Sequence, residues 1–165
     1  MKITMPSPAQ VRELPELTRI RVPRAWEDMN GHVNVQYHLA MYNECTDPLL
    51  IMLGIDQQWV RDERVGLFDL EHHIWYQNEV HVGDEVALHA RFTVRNAKRL
   101  QGCIVLLNVT RDCVASVIEY VCGAADLEAR RLVPWPARLA TRLDALIGDH
   151  EALAWPAPRS GAISV

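Results

Sequence analysis

An excess of positive charge is the first thing this sequence lacks. Seventeen Lys and Arg stand against 21 Asp and Glu, a formal net charge of −4 over 165 residues. Nucleic-acid-binding domains usually carry a basic excess or stripe, so that class is not expected. No apolar run approaches the ~18 residues a membrane span needs. No apolar block follows Lys2, so no secretory leader is read. The cysteines, Cys45, Cys103, Cys113 and Cys122, contain no C-x-x-C pair, which leaves no framework for a structural zinc site. Reduced, buried thiols in a cytoplasmic protein are the expectation. Internal repeats and low-complexity segments are absent too. What remains is a 49% hydrophobic, 23% charged chain, the balance of one domain around one core.

Periodicity divides that chain. Residues 1–17 hold Pro6, Pro8 and Pro15 and read as an irregular lead-in. Residues 18–133 form the main domain, and residues 134–165 a short helix and extended tail. Thr18 to Pro23 alternates as a short strand. Val35, Leu39, Tyr42, Thr46, Leu49 and Leu53 recur three and four apart. That spacing predicts one long helix from Asn34 to Leu53, capped by Asn34, ended by Gly54 and bent at Pro48. It is apolar nearly all round, so something wraps it. Phe68–Tyr76, Val86–Val94, Ile104–Val109 and Val114–Val121 read as four antiparallel strands. In the first of them alternation places Asp69, Glu71 and His73 on one face and His72 on the other. Arg138–Ile147 reads as an amphipathic helix. Trp155–Gly161 either hangs free or clips onto a neighbour. The expected fold class is α+β, a long central helix wrapped by a curved antiparallel β-sheet.

Between the first strand and the long helix lies Trp26-Glu-Asp-Met-Asn-Gly-His-Val-Asn-Val-Gln-Tyr37. A helix start offers unpaired N–H groups and a positive dipole end, which can hold an oxyanion developing on a carbonyl. A neighbouring carboxylate such as Asp28 can activate water or attack. Donors and a carboxylate together are what thioester hydrolysis requires. The same residues also build ordinary turns, and Asn34 can be a helix cap and nothing more.

Trp26-x-Asp28-Met-Asn-Gly-His32-Val-Asn34-x-x-Tyr37 resembles the opening motif of the hotdog-fold acyl-CoA thioesterases, in the 4-hydroxybenzoyl-CoA thioesterase-like branch and close to its betainyl-CoA group. Glu71-x-His-Ile74-x-Tyr76-x-x-Glu79-Val, Gly83-Asp84-x-Val86 and Lys98-Arg99 agree, and the resemblance covers residues 18 to 133. It implies an acyl-CoA thioesterase with Asp28 as general base or nucleophile. Backbone N–H groups at or just after Gly31 to Asn34 would be the oxyanion donors, and His32 would orient Asp28. Asn30, Tyr37, Met41 and Glu44 would lie near the acyl group, with Glu44 a second candidate carboxylate. Glu71 and His72 would complete the site from the strand, and Lys98 and Arg99 would meet the phosphates of coenzyme A. Trp75, Tyr76 and Trp59 offer aromatic bulk for an acyl pocket, and the betainyl kinship suggests a small, cationic acyl group. The resemblance implies no metal and no cofactor beyond the CoA of the substrate, and no nucleic-acid or membrane partner. It also implies a homodimer or homotetramer with sites at the subunit interface. Two other readings fit the same fold: a hydratase or dehydratase of acyl thioesters pairing His32 with Glu44, and a non-catalytic dimer that binds an acyl ligand.

Overall fold

The computed structural model describes residues 3–165. Its sheet is antiparallel throughout, in the order β1-β3-β4-β5-β2. The strands are β1 (Glu16–Arg21), β2 (Val65–Tyr76), β3 (Glu85–Arg95), β4 (Arg99–Asn108) and β5 (Cys113–Asp126), with a short β6 (Arg131–Leu132) beside β5. β2 to β5 run longer than alternation alone suggests, and β1 keeps its expected six residues but starts two earlier. Successive strand residues point to opposite faces. One face carries Leu88, Phe92, Leu106, Ile118 and Tyr120, packed on Met41, Tyr42 and Cys45 of the helical segment. A helix held in the concavity of a curved sheet is the hotdog arrangement.

The single long helix expected from Asn34 to Leu53 is two. The segment α2 (Val35–Asn43) ends at Glu44, and α3 (Thr46–Leu53) starts from Cys45. Pro48 does not bend a helix interior. It sits in the first turn of α3, where an N–H would have no intrahelical acceptor anyway. In a continuous helix its ring would strike the carbonyl of Glu44, four residues earlier, and the break falls there. A further helix, α4 (Gln57–Glu63), is capped by Asp56, whose side chain accepts from the Trp59 N–H at 2.7 Å.

The outer face of the sheet is covered by the chain's own ends. The lead-in is not irregular: Ser7 and Gln10 form a reciprocal capping box for α1 (Pro8–Val11), and Val11 packs on Cys103, Val105, Leu107 and Val117. After α5 (Ala137–Glu151) the tail is clipped down. The buried guanidinium of Arg91 donates to Trp155 O at 2.8 Å and His150 O at 2.9 Å, and lies 4.1 Å from the centre of the Trp155 ring. Glu119, 1% exposed, accepts from Gln101 Nε2 at 2.7 Å and from the Ser160 N–H at 2.9 Å.

Strand β2 does not keep strict alternation. Asp69 pairs with Cys122 but Glu71 pairs with Val121, so Leu70 is an extra residue, a β-bulge that inverts the facing of what precedes it. Asp69 therefore shares the concave face with His72, their side chains 3.6 Å apart. Glu71 and His73 face outward, and Trp75 joins His73 there, ring centres 4.4 Å apart.

Candidate active site

The Asp28 turn forms because Gly31 can take φ +81° and give its N–H to Asp28 O at 3.1 Å, a conformation that glycine adopts freely. The Asp28 carboxylate accepts from the Asn30 N–H at 2.8 Å. His32 Nδ1 lies 3.9 Å from that carboxylate but 3.2 Å from Val33 O, to which it donates. The turn is set against α2 by the stacking of Trp26 on Tyr37, centres 5.2 Å apart. Val33 and Asn34 extend this clamp, donating to Val80 O at 2.8 Å and Trp26 O at 2.9 Å.

Backbone accounting then narrows the candidates for an oxyanion donor. The N–H groups of Gly31, Val33 and Asn34 are all committed to protein carbonyls. Asn34 is the N-cap of α2 and its side chain accepts from the Gln36 N–H at 3.1 Å. Among the described residues, the N–H groups of His32 and Val35 have no acceptor. Both residues line a pocket of about 350 Å³ whose far wall is Tyr76, Asn78 and Glu79. Val35, the first residue of α2, is a position that the motif reading placed only as "just after" Asn34.

His38, which lines the same pocket, ends a polar chain that spacing alone does not reveal. His38 Nδ1 lies 3.0 Å from Ser116 Oγ, and Tyr42 Oη donates to that oxygen at 2.7 Å. The His38 ring stands edge-on to Tyr76, centres 5.0 Å apart. Burial, and secondarily the neighbouring His32, pushes the His38 pKa down to about 4, so the imidazole is neutral near pH 7. The only sequence signal was the i, i+4 spacing of His38 and Tyr42, which puts both on one helix face.

One turn further along α2, about 6 Å of rise, a cavity of about 410 Å³ opens between the helices and β2. It is lined by apolar groups such as Leu39, Leu49 and Ile118, with Tyr120 in its wall and Asp69 and His72 as polar lining. The Tyr120 hydroxyl is buried without a partner.

The other expected site residues are dispersed. Met41 is fully buried core, Asn30 is exposed beside Asp28, and Glu71 points away from both pockets. Glu44 is exposed at the C-cap of α2, about 14 Å of helix axis from its start, so His32 and Glu44 do not form an acid–base pair within one chain. Trp75 is on the outer face and Trp59 in the core, so neither gives the acyl aromatic wall. Lys98 and Arg99 are exposed on the β3–β4 hairpin, their N–H groups held by Asn96 Oδ1 at 2.8 Å. That hairpin is a strand length, about 33 Å, from the end of β3 nearest the Asp28 turn. Asp84 is structural: burial pushes its carboxyl up, but hydrogen bonds from Arg111, the His81 N–H and Asn108 outweigh that and hold its pKa low. Among the described residues no three His, Cys, Asp or Glu side chains gather as a metal site.

Comparison with known proteins gives this geometry a context. A family described as the thioesterase-like superfamily matches residues 22–143. A betainyl-CoA thioesterase of Pseudomonas aeruginosa is 28% identical over 131 residues, covering 79% of this chain and 82% of that protein. An L-carnitine dehydrogenase/betainyl-CoA thioesterase of Agrobacterium fabrum is 30% identical over 135 residues, 82% of this chain but 28% of that protein. A Staphylococcus aureus protein solved in complex with CoA superimposes with a TM-score of 0.79 at 18% identity, covering 92% of this chain and 96% of the other.

Proposed function

Because the chain belongs to the thioesterase-like superfamily and is a thioester hydrolase, we propose that its substrate is an acyl-CoA, cleaved to the free acid and CoA at the Asp28 turn. The observation that carries this reading is the unpaired N–H of Val35 at the start of α2, a residue that lines a pocket together with His32, whose Nδ1 lies 3.9 Å from the Asp28 carboxylate. A thioester oxygen bound there would feel the N–H and the positive end of the helix. As general base, Asp28 takes a proton from water while the water oxygen bonds to the carbonyl carbon. The tetrahedral oxyanion rests on the Val35 N–H, then collapses as the C–S bond breaks. The CoA sulfur leaves with the electron pair and is protonated. As nucleophile, Asp28 forms a mixed anhydride instead, which water then hydrolyses. In a single turnover in ¹⁸O water, label in Asp28 marks the nucleophilic route with water attacking the Asp28 carbonyl carbon, since the general-base route places the label in the product acid.

The working unit is proposed to be a homodimer. Among the described residues strand β2 pairs only with β5, and its other edge, twelve residues long, is bare. Long bare edges pair with another chain. Two-fold antiparallel pairing through β2 would close the pockets along α2 and bring the second copy's Lys98 and Arg99 level with the Asp28 turn, where CoA phosphates need cations. The 410 Å³ cavity would take the acyl group. The betainyl group named for two relatives makes a small cationic acyl chain the first to try, with Asp69 supplying the complementary charge. Four unpaired cysteines support a reducing, cytoplasmic setting.

Thiol release from a panel of acetyl-, betainyl-, medium-chain and hydroxybenzoyl-CoA, with wild type beside Asp28→Asn, tests the reading. Asp28→Asn should lower the rate by about 10²–10⁴. A loss under about tenfold removes Asp28 from the chemistry.

A further inference from the structure

His38 is buried, yet its ring lines the pocket that holds the Val35 N–H. Its tautomer follows from counting protons. Tyr42 Oη is buried and has Ser116 Oγ as its acceptor, so it donates there. Ser116 is fully buried, and its one hydroxyl proton has His38 Nδ1, at 3.0 Å, as the acceptor within reach. If Nδ1 carried a proton instead, the Ser116 proton would be buried with no acceptor, at a cost of about 1–3 kcal/mol. The satisfied arrangement runs Tyr42 to Ser116 to His38 Nδ1 and leaves the ring proton on Nε2. Among the described residues Nε2 has no protein partner, and it is not among the polar atoms sealed from solvent without one. On a helix, a side chain leans back over the turn that precedes it, which for His38 is the turn beginning at Val35.

We propose that His38, held as the neutral Nε2–H tautomer by Ser116 and Tyr42, is a second hydrogen-bond donor to the substrate's thioester oxygen, beside the Val35 N–H. A neutral imidazole suits this task. It gives a hydrogen bond that strengthens as negative charge develops on the oxygen, without surrendering its proton. The hydroxyl chain polarises the ring from behind, as linked hydrogen bonds do. The inference rests on the acyl-CoA hydrolase reading and assigns a residue to it that the Asp28 motif does not contain.

Two measurements on the 165-residue chain test it. The first needs no turnover. ¹⁵N NMR of histidine-labelled protein at pH 7 should show His38 neutral with its proton on Nε2. Ser116→Ala should release it to a mixture of tautomers. A ketone analogue of an acyl-CoA, with CH₂ in place of sulfur, should move the Nε2 signal. A proton on Nδ1, a charged ring, or an Nε2 signal indifferent to the analogue overturns the proposal. The second is kinetic. His38→Ala should lower kcat by about 10²–10³ with KM changed less than about threefold, as for loss of an oxyanion donor. His38→Gln places an amide N–H near the Nε2 position and should recover about tenfold of that loss. A kcat for His38→Ala within about threefold of wild type, with Asp28→Asn inactive, overturns the role of His38 alone and leaves the hydrolase reading standing. Wild type silent on the whole acyl-CoA panel defeats the hydrolase reading instead, and the analogue-dependent shift then decides His38 by itself.

Discussion

Acid should unfold this protein partly through His38, and the amount follows from its surroundings. Burial lowers its pKa in the fold to about 4, against about 6.5 in an unfolded chain. At pH 7 the ring is neutral in both states. At pH 5 the unfolded chain binds the proton and the folded chain does not, so stability present above about 6.5 is lost as pH falls toward 4. Between pH 7 and pH 5 that difference in proton uptake removes about 2 kcal/mol. His89 and His150, also pushed down by burial, act in the same direction. Comparing wild type with His38→Gln isolates the one ring, since the other histidines and the carboxylates titrate alike in both. Urea unfolding at pH 7 and pH 5, at one protein concentration, is the assay. Wild type should lose about 2 kcal/mol more than His38→Gln on acidification. Equal losses in the two proteins would refute the depressed pKa.

Gly102→Ala should destabilise the chain by about 1–3 kcal/mol, read as a lower Tm, because a Cβ there would stand 2.8 Å from the Arg91 carbonyl and 2.7 Å from Tyr120 Oη. The Tyr120 phenol could swing aside, but the strand backbone at Arg91 has no such freedom. Arg91→Met removes the donors that hold Trp155 O and His150 O. The tail should then be cut faster by trypsin at Arg159–Ser160 and the fluorescence of the buried Trp155 should shift red, whereas an unchanged digestion rate would show the tail held by other contacts. Sedimentation at micromolar concentration should give twice the 18.8 kDa chain mass. A monomer would refute pairing through β2. A particle of four times that mass would show that the termini do not keep the outer face from stacking.

Much of this architecture is written in short-range pattern. Alternation in Val86–Val94 marks β3, and the three- and four-residue spacing after Asn34 marks a helix. Asp28, Asn30 and Gly31 mark a turn whose carboxylate and glycine do what their chemistry demands: the first accepts a backbone N–H, the second takes φ +81°. These signals act over a few residues, within the reach of a cap, a turn or a pleat. The helix break was present in the sequence as Pro48 but misplaced, because proline acts on the carbonyl four residues before it.

What the sequence could not decide depended on partners distant in the chain. The bulge at Leu70 exists only in register with β5, and it moves Asp69 into the cavity with His72. The free N–H of Val35 is recognised only once Val33 and Asn34 are seen to donate to Val80 and Trp26. Ser116 sits 78 residues from His38, so no local periodicity could pair them. The lead-in and tail gain their order from Arg91, Cys103 and Glu119 on a sheet face built by the middle of the chain. Sequence alone thus determined the elements and the Asp28 turn, since backbone sterics and local hydrogen bonds suffice for those. The tertiary structure decided which N–H stays unpaired and which histidine stays neutral, because desolvation and hydrogen-bond satisfaction depend on everything packed around a group.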